Sequence, residues 1–97
     1  MSGMDRWLDE LAEALGVAPL RGEQSGSLLR LTRDVAHRGE RRFAPLAAFV
    51  VGRAVGRAET EGRAPQEAFA EALERAAALL PPAEPQLADP RDRGPND

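Results

Sequence analysis

The sequence predicts an all-α fold, a small four-helix bundle with a disordered C-terminal tail, and three observations carry that prediction. Apolar residues recur at helical spacing in four separate segments, three of them closed by Gly or Pro. The apolar content is mostly Ala (18) and Leu (12), with three Phe and one Trp. That mixture suits closely packed helices better than strands, which favour β-branched and aromatic residues. The connections between the segments are also short, which sets sequential helices roughly antiparallel in a bundle.

The first helix is expected near residues 3–15, capped by Ser2, favoured by Asp5 in its first turn and ended by Gly16. Met4, Trp7, Leu8, Leu11 and Leu15 form its one-sided apolar stripe, and Asp9, Glu10 and Glu13 face outward. The second is expected near 25–38 and is stopped by Gly39. Its inner face is Leu28, Leu31, Thr32, Val35 and Ala36, and its outer face is Arg30, Arg33, Asp34, His37 and Arg38. The third, near 41–59, carries Pro45 close to its start, where a missing N–H is tolerated. Phe43, Leu46, Phe49, Val50, Val51 and Val55 make it apolar nearly all round, the pattern of a buried central helix. The fourth, near 65–80, starts at Pro65, turns Phe69, Ala72, Leu73, Ala76 and Leu80 inward, and is halted by Pro81 and Pro82.

From Pro81 to Asp97 the chain holds five of its eight prolines and one large aliphatic, Leu87. Such a segment buries too little apolar surface to offset its ordering entropy. The expected organisation is one helical domain over 1–82 and a disordered Pro-rich tail over 83–97. Residues 1–20 carry a net charge of −3, residues 21–63 +4 and residues 64–97 −4. The basic middle is met either by the acidic flanks within the fold or by a partner.

The composition excludes several chemistries. There is no Cys, so disulfides and thiolate chemistry are absent. All 13 basic residues are Arg, which removes a Schiff-base or P-loop lysine. One His with Asp34 and Glu40 offers at most one imidazole and two carboxylates, too few for a zinc site, and Asp34-x-x-His37 has no second copy for a di-iron bundle. Ser2, Ser25 and Ser27 have no His in a recognisable nucleophile context. The expectation is therefore a non-enzymatic protein with no cofactor and no metal. The N-terminus has no cationic-then-apolar signal, and the run Phe43 to Val55, interrupted by Arg53, is too short to cross a bilayer. The expected compartment is the cytoplasm.

Two surfaces remain as candidates. Arg30, Arg33, Asp34, His37, Arg38, Arg41 and Arg42 gather at the corner between the second and third helices. They are either a solvated helix end, with Asp34 paired to Arg30 or Arg38 four residues away, or a docking or anion-binding surface. Guanidinium forks suit a carboxylate, a phosphate or an acidic protein face, a nucleotide among them. Nucleic acid fits poorly, because the third helix offers Phe43, Leu46 and Phe49 where a recognition helix needs polar side chains, and no aromatic is interleaved with the basic patch. The second candidate is the ridge Ala44, Ala48, Gly52 and Gly56 on the third helix. Two helix-interior glycines cost about 1 kcal/mol each relative to Ala, so a close approach is expected to compensate. That approach is by the first or fourth helix, by a second copy in a homodimer, or by a partner.

The run Leu28-Leu29-Arg30-Leu31-Thr32-Arg33-Asp34-Val35-Ala36-His37, then Glu40-Arg41, Ala44-Pro45-Leu46, Phe49, Gly52, Ala54 and Gly56, resembles a small actinobacterial helical domain family of unknown function. The opening Trp7-Leu8-x-x-Leu11 and Leu15-Gly16-Val17 resemble that family's first helix, and the likeness covers about residues 5–80. Thr32 departs from it, standing where a small apolar residue, usually Ala, is expected. Domains of this kind occur alone or fused to nucleotidyltransferases similar to the molybdenum-cofactor guanylyltransferase. The resemblance therefore implies an accessory role in maturing the molybdopterin guanine dinucleotide cofactor, docking such a transferase as protein partner, or a cofactor carrier or a recipient enzyme. It carries over no catalytic residue, and it gives added weight to Asp34, His37 and Arg41.

Overall fold

The computed structural model describes residues 3–82. Four helices follow one another, α1 (Gly3–Leu15), α2 (Gly22–Arg38), α3 (Ala44–Thr60) and α4 (Pro65–Leu79), with a 3₁₀ turn (Arg41–Phe43) leading into α3. Among the described residues there is no strand. The all-α expectation holds; the Ser2 cap and the tail over 83–97 lie outside the described residues.

Glycine ends two of the helices in the same way. Gly16 and Gly62 adopt φ of 73° and 86°, the left-handed region that costs a side chain about 1–2 kcal/mol. At Gly16, its own N–H donates to the Glu13 carbonyl (3.1 Å) and that of Val17 to Ala12 (2.9 Å). At Gly62, the same two bonds run from Gly62 to Glu59 (3.0 Å) and from Arg63 to Ala58 (3.0 Å). Each pair satisfies carbonyls that a helix C-terminus otherwise leaves orphaned. Pro45 and Pro65 stand in the first turns of α3 and α4, where their fixed φ favours the helix.

α2 begins three residues before its expected start. Arg21 is extended (φ −89°, ψ 162°), and its N–H donates to Gln24 Oε1 at 2.9 Å. Gln24 thus makes the backward half of a capping box, without the Ser, Thr, Asp or Asn that usually marks a helix start.

The packed part of the molecule is α2, α3 and α4. α3 lies along α4, α2 packs on both, and the 3₁₀ turn fits between α2 and the start of α3. No Cα of α1 comes within 8 Å of a Cα in another helix. The stripe expected to turn inward, Met4, Trp7, Leu8, Leu11 and Leu15, is 38–66% exposed, and only Ala12 of that helix is buried. The core is thin: among the described residues Leu31 of α2, Val51 and Ala58 of α3, and Ala68 of α4 complete the buried apolar residues, and no large side chain is fully enclosed.

α3 is correspondingly not the buried central helix its composition suggested. It has neighbours on one side, so Val51 and Ala58 are buried while Phe43, Leu46, Phe49 and Val50 remain exposed opposite them. The ridge divides in the same way. Ala44 and Ala48 are half-buried, but Gly52 and Gly56 are exposed, and a Cβ added to either would meet nothing within 4 Å. The expected close approach of the first or fourth helix is absent, because those glycines point away from α4 and α1 stands off. α2 and α4, by contrast, turn inward the faces their periodicity marked: Leu28, Val35, Phe69 and Leu73 are all half-buried.

Candidate functional site

The arginine corner is built where α2 ends and the chain turns into α3. The Gly39 N–H donates to the Val35 carbonyl (2.8 Å), ending the helix, and the 3₁₀ turn brings Arg41 and Arg42 back beside α2. Helical periodicity then sorts the α2 members into two groups. Arg30, Arg33 and His37 are exposed on the outer face, whereas Asp34 and Arg38 are half-buried on the flank. Asp34 and Arg30 line a shallow cleft of about 350 Å³ against Leu73 and Glu74 of α4.

The expected pairing of Asp34 with Arg30 or Arg38 does not form. Among the described residues Asp34 has no cation within 4 Å, and Arg38 instead extends Nη1 to the Pro81 carbonyl at 3.4 Å. Arg42 turns toward its own loop, with Nε donating to Glu40 Oε1 at 3.0 Å and its guanidinium 5.2 Å from the Phe43 ring centroid. Arg30, Arg33 and Arg41 have no carboxylate within 4 Å among the described residues. Three exposed, unneutralised guanidiniums and an imidazole are therefore what this corner presents. Such groups bind carboxylate or phosphate oxygens through paired N–H donors. Among the described residues no cluster of three or more His, Asp or Glu is placed to hold a metal ion.

A second charged cluster, at the α3–α4 turn, lies outside the surfaces that the sequence singles out. Glu71 takes Arg63 Nη2 on Oε1 at 2.7 Å and Arg75 Nη2 on Oε2 at 3.2 Å, while Arg57 Nε reaches Glu61 Oε2 at 3.3 Å. The Arg63 guanidinium, and after it Arg75, holds the Glu71 carboxyl below its usual range, and Glu71 raises Arg63 in turn. The Glu71–Arg75 spacing of four residues was a legible signal. The Arg63–Glu71 pair crosses the turn and had none. Each arginine in this cleft has a carboxylate within 4 Å, Arg63 and Arg75 sharing Glu71, so the cluster fastens the α3–α4 turn to α4.

The model of the family described as Domain of unknown function (DUF6457) matches residues 1–88, and the chain belongs to that family. No curated protein and no solved structure matches it. Among the described residues no helix is long and apolar enough to cross a membrane.

Proposed function

We propose that the chain is a non-catalytic docking module whose arginine corner receives an acidic protein partner. The observation that carries this reading is the contrast between the two charged clusters. At the α3–α4 turn every arginine contacts a carboxylate, Arg63 and Arg75 sharing Glu71, whereas Arg30, Arg33 and Arg41 stand exposed with none within 4 Å among the described residues. Charges left open on a surface act on association rate and partner choice more than on stability.

The partner we assign is a nucleotidyltransferase similar to the molybdenum-cofactor guanylyltransferase, and the chain would then work in the cytoplasm beside it. Support for that assignment is the likeness of residues 28–56 to domains found fused to such enzymes. The rival occupant of the same guanidiniums is a small anion such as a nucleotide.

The test is calorimetric titration of the chain into the host guanylyltransferase, at low and high salt, with Arg33→Glu/Arg41→Glu as control. Binding is expected to weaken with salt, since charges are screened over about 8 Å at physiological ionic strength. The double reversal should abolish it, because juxtaposed like charges cost several kcal/mol at an interface. Binding that survives both, or no binding by the wild type, overturns this partner. Saturable nucleotide binding lost in the same variant assigns the corner to a small ligand instead.

A further inference from the structure

The largest feature outside the arginine corner is a pair of uncovered apolar faces on one small chain. α1 presents Met4, Trp7, Leu8, Leu11 and Leu15, and α3 presents Phe43, Leu46, Phe49 and Val50, all exposed. Contiguous apolar surface on this scale marks an interaction site on a soluble domain. We infer that α1 of one copy lies against the outer face of α3 of a second copy, so that two chains exchange their first helices in a reciprocal homodimer.

Three observations select a second copy as the occupant. The first is charge complementarity within the chain itself. Glu10 flanks the apolar stripe of α1 on its Trp7 edge, with Asp9 and Glu13 behind it, and the outer face of α3 continues from its apolar half into Arg53 and Arg57. Arg53 already lies over Phe49, 5.6 Å from the ring centroid, so the aromatic and the cation form one exposed patch. Gly52 and Gly56 beside it leave open space that lets a neighbouring helix approach closely.

The second is the area. Nine large side chains roughly half exposed amount to on the order of 800 Å² per copy, which is what each partner contributes to a standard stable interface. The third is need. Among the described residues three of the five buried apolar ones are alanines, and a chain of this size with so little core usually requires a further source of burial such as oligomerisation. Residues 83–97 cannot supply it, since their only large aliphatic is Leu87. A membrane surface fits less well, because helices that lie on lipid carry basic residues on the polar face and α1 carries acidic ones.

Light scattering after size exclusion, with Leu11→Glu and Phe49→Glu as variants, tests the exchange. Both positions are exposed in the single chain, so each variant should keep its helical circular dichroism. The wild type is expected to be a dimer, and each variant alone a folded monomer, with the dissociation constant raised at least about thirtyfold, as for loss of an interface hot spot. The decisive sample is the equimolar mixture of the two variants. A reciprocal pair then keeps one unaltered α1–α3 contact, so the mixture should dimerise where neither variant does, with Trp7 emission shifting to the blue.

A wild type that stays monomeric at the highest soluble concentration overturns the proposal. So does a variant that dimerises like the wild type, or a mixture that remains monomeric. Trp7 emission that shifts with anionic vesicles and not with protein concentration overturns it in favour of a lipid surface. None of these outcomes touches Arg33 or Arg41, so failure here and failure of the docking reading are separable.

Discussion

α1 and the α3–α4 pair reverse the relation usually assumed between pattern and packing. α1 has the cleanest amphipathic stripe in the chain, five large apolar residues on one side and acids on the other, yet that stripe is left in water. Where α3 lies along α4 the most buried side chains include two alanines, Ala58 and Ala68, which no hydrophobic stripe would single out. Glu71 also takes Arg63 across the turn and Arg75 along α4. Periodicity identifies a face that wants a cover; it carries no information about whether the cover is in the same chain. Small residues behave in the opposite way, since they allow helices to approach but do not demand it.

The widest separation between the two regions is expected from leucine truncation. Leu31 is 5% exposed where α2 packs on α3 and α4, and Leu31→Ala should cost about 2–5 kcal/mol through lost burial and the cavity left behind. Leu11, 38% exposed on α1, should change stability by no more than about 0.5 kcal/mol in dilute solution, where the chain is alone. Urea denaturation followed by circular dichroism measures both. If Leu11→Ala proves as damaging as Leu31→Ala at high dilution, α1 packs within its own chain and the contrast collapses.

The residues show why the fold was more legible than the site. Gly16, Pro65 and Pro81 are local signals, readable in one dimension, and they placed α1 and α4 within a residue of where they lie. The start of α2 was missed because Arg21 contributes only its backbone to the cap and Gln24 does the work from inside the helix. At the corner, helical period put Arg30, Arg33 and His37 on the outer face correctly. It could not foresee that Arg38 would leave Asp34 for the Pro81 carbonyl, 43 residues away in sequence. The ridge failed for a similar reason: Gly52 and Gly56 share a face with each other, but which neighbour that face meets is a tertiary fact.

The glycines give a smaller and sign-reversing test of the same contrast. Gly62 holds a positive φ that ends α3, so Gly62→Ala should cost about 1–2 kcal/mol in strain. Gly56 sits in the body of α3 with open space around its Cβ, and there Gly56→Ala should add about 0.5–1 kcal/mol of stability by favouring the helix. Thermal melts of the two variants should move in opposite directions. A destabilising Gly56→Ala would mean that something packs on the outer face of α3 even in the single chain.

The smallest expected effect lies in the pH dependence of the α3–α4 fastening, and it is the most specific. Glu71 has its pKa lowered from an ordinary 4.5, first by Arg63 and then by Arg75. A depressed carboxylate stabilises the fold fully above its unfolded value, and that contribution disappears as pH falls through the lower folded value. Arg63 is shifted upward from a value already so high that it stays charged throughout this window, so only the carboxylate titrates. Comparing the wild type with Glu71→Gln cancels the background of the chain's other carboxylates. The difference in melting temperature between the two should be constant from neutrality to about pH 5 and should shrink below 4.5. Because both partners are partly exposed to solvent, the difference should also diminish with added salt. A carboxyl NMR titration ranks the causes, with Arg63→Gln returning the Glu71 pKa further toward 4.5 than Arg75→Gln does. An equal response to the two arginines, or a melting difference that persists in acid, would mean that the bond across the turn is no stronger than the one along α4. The alanine contacts alone would then account for the closure of α3 on α4, while α1 keeps its apolar face for another surface.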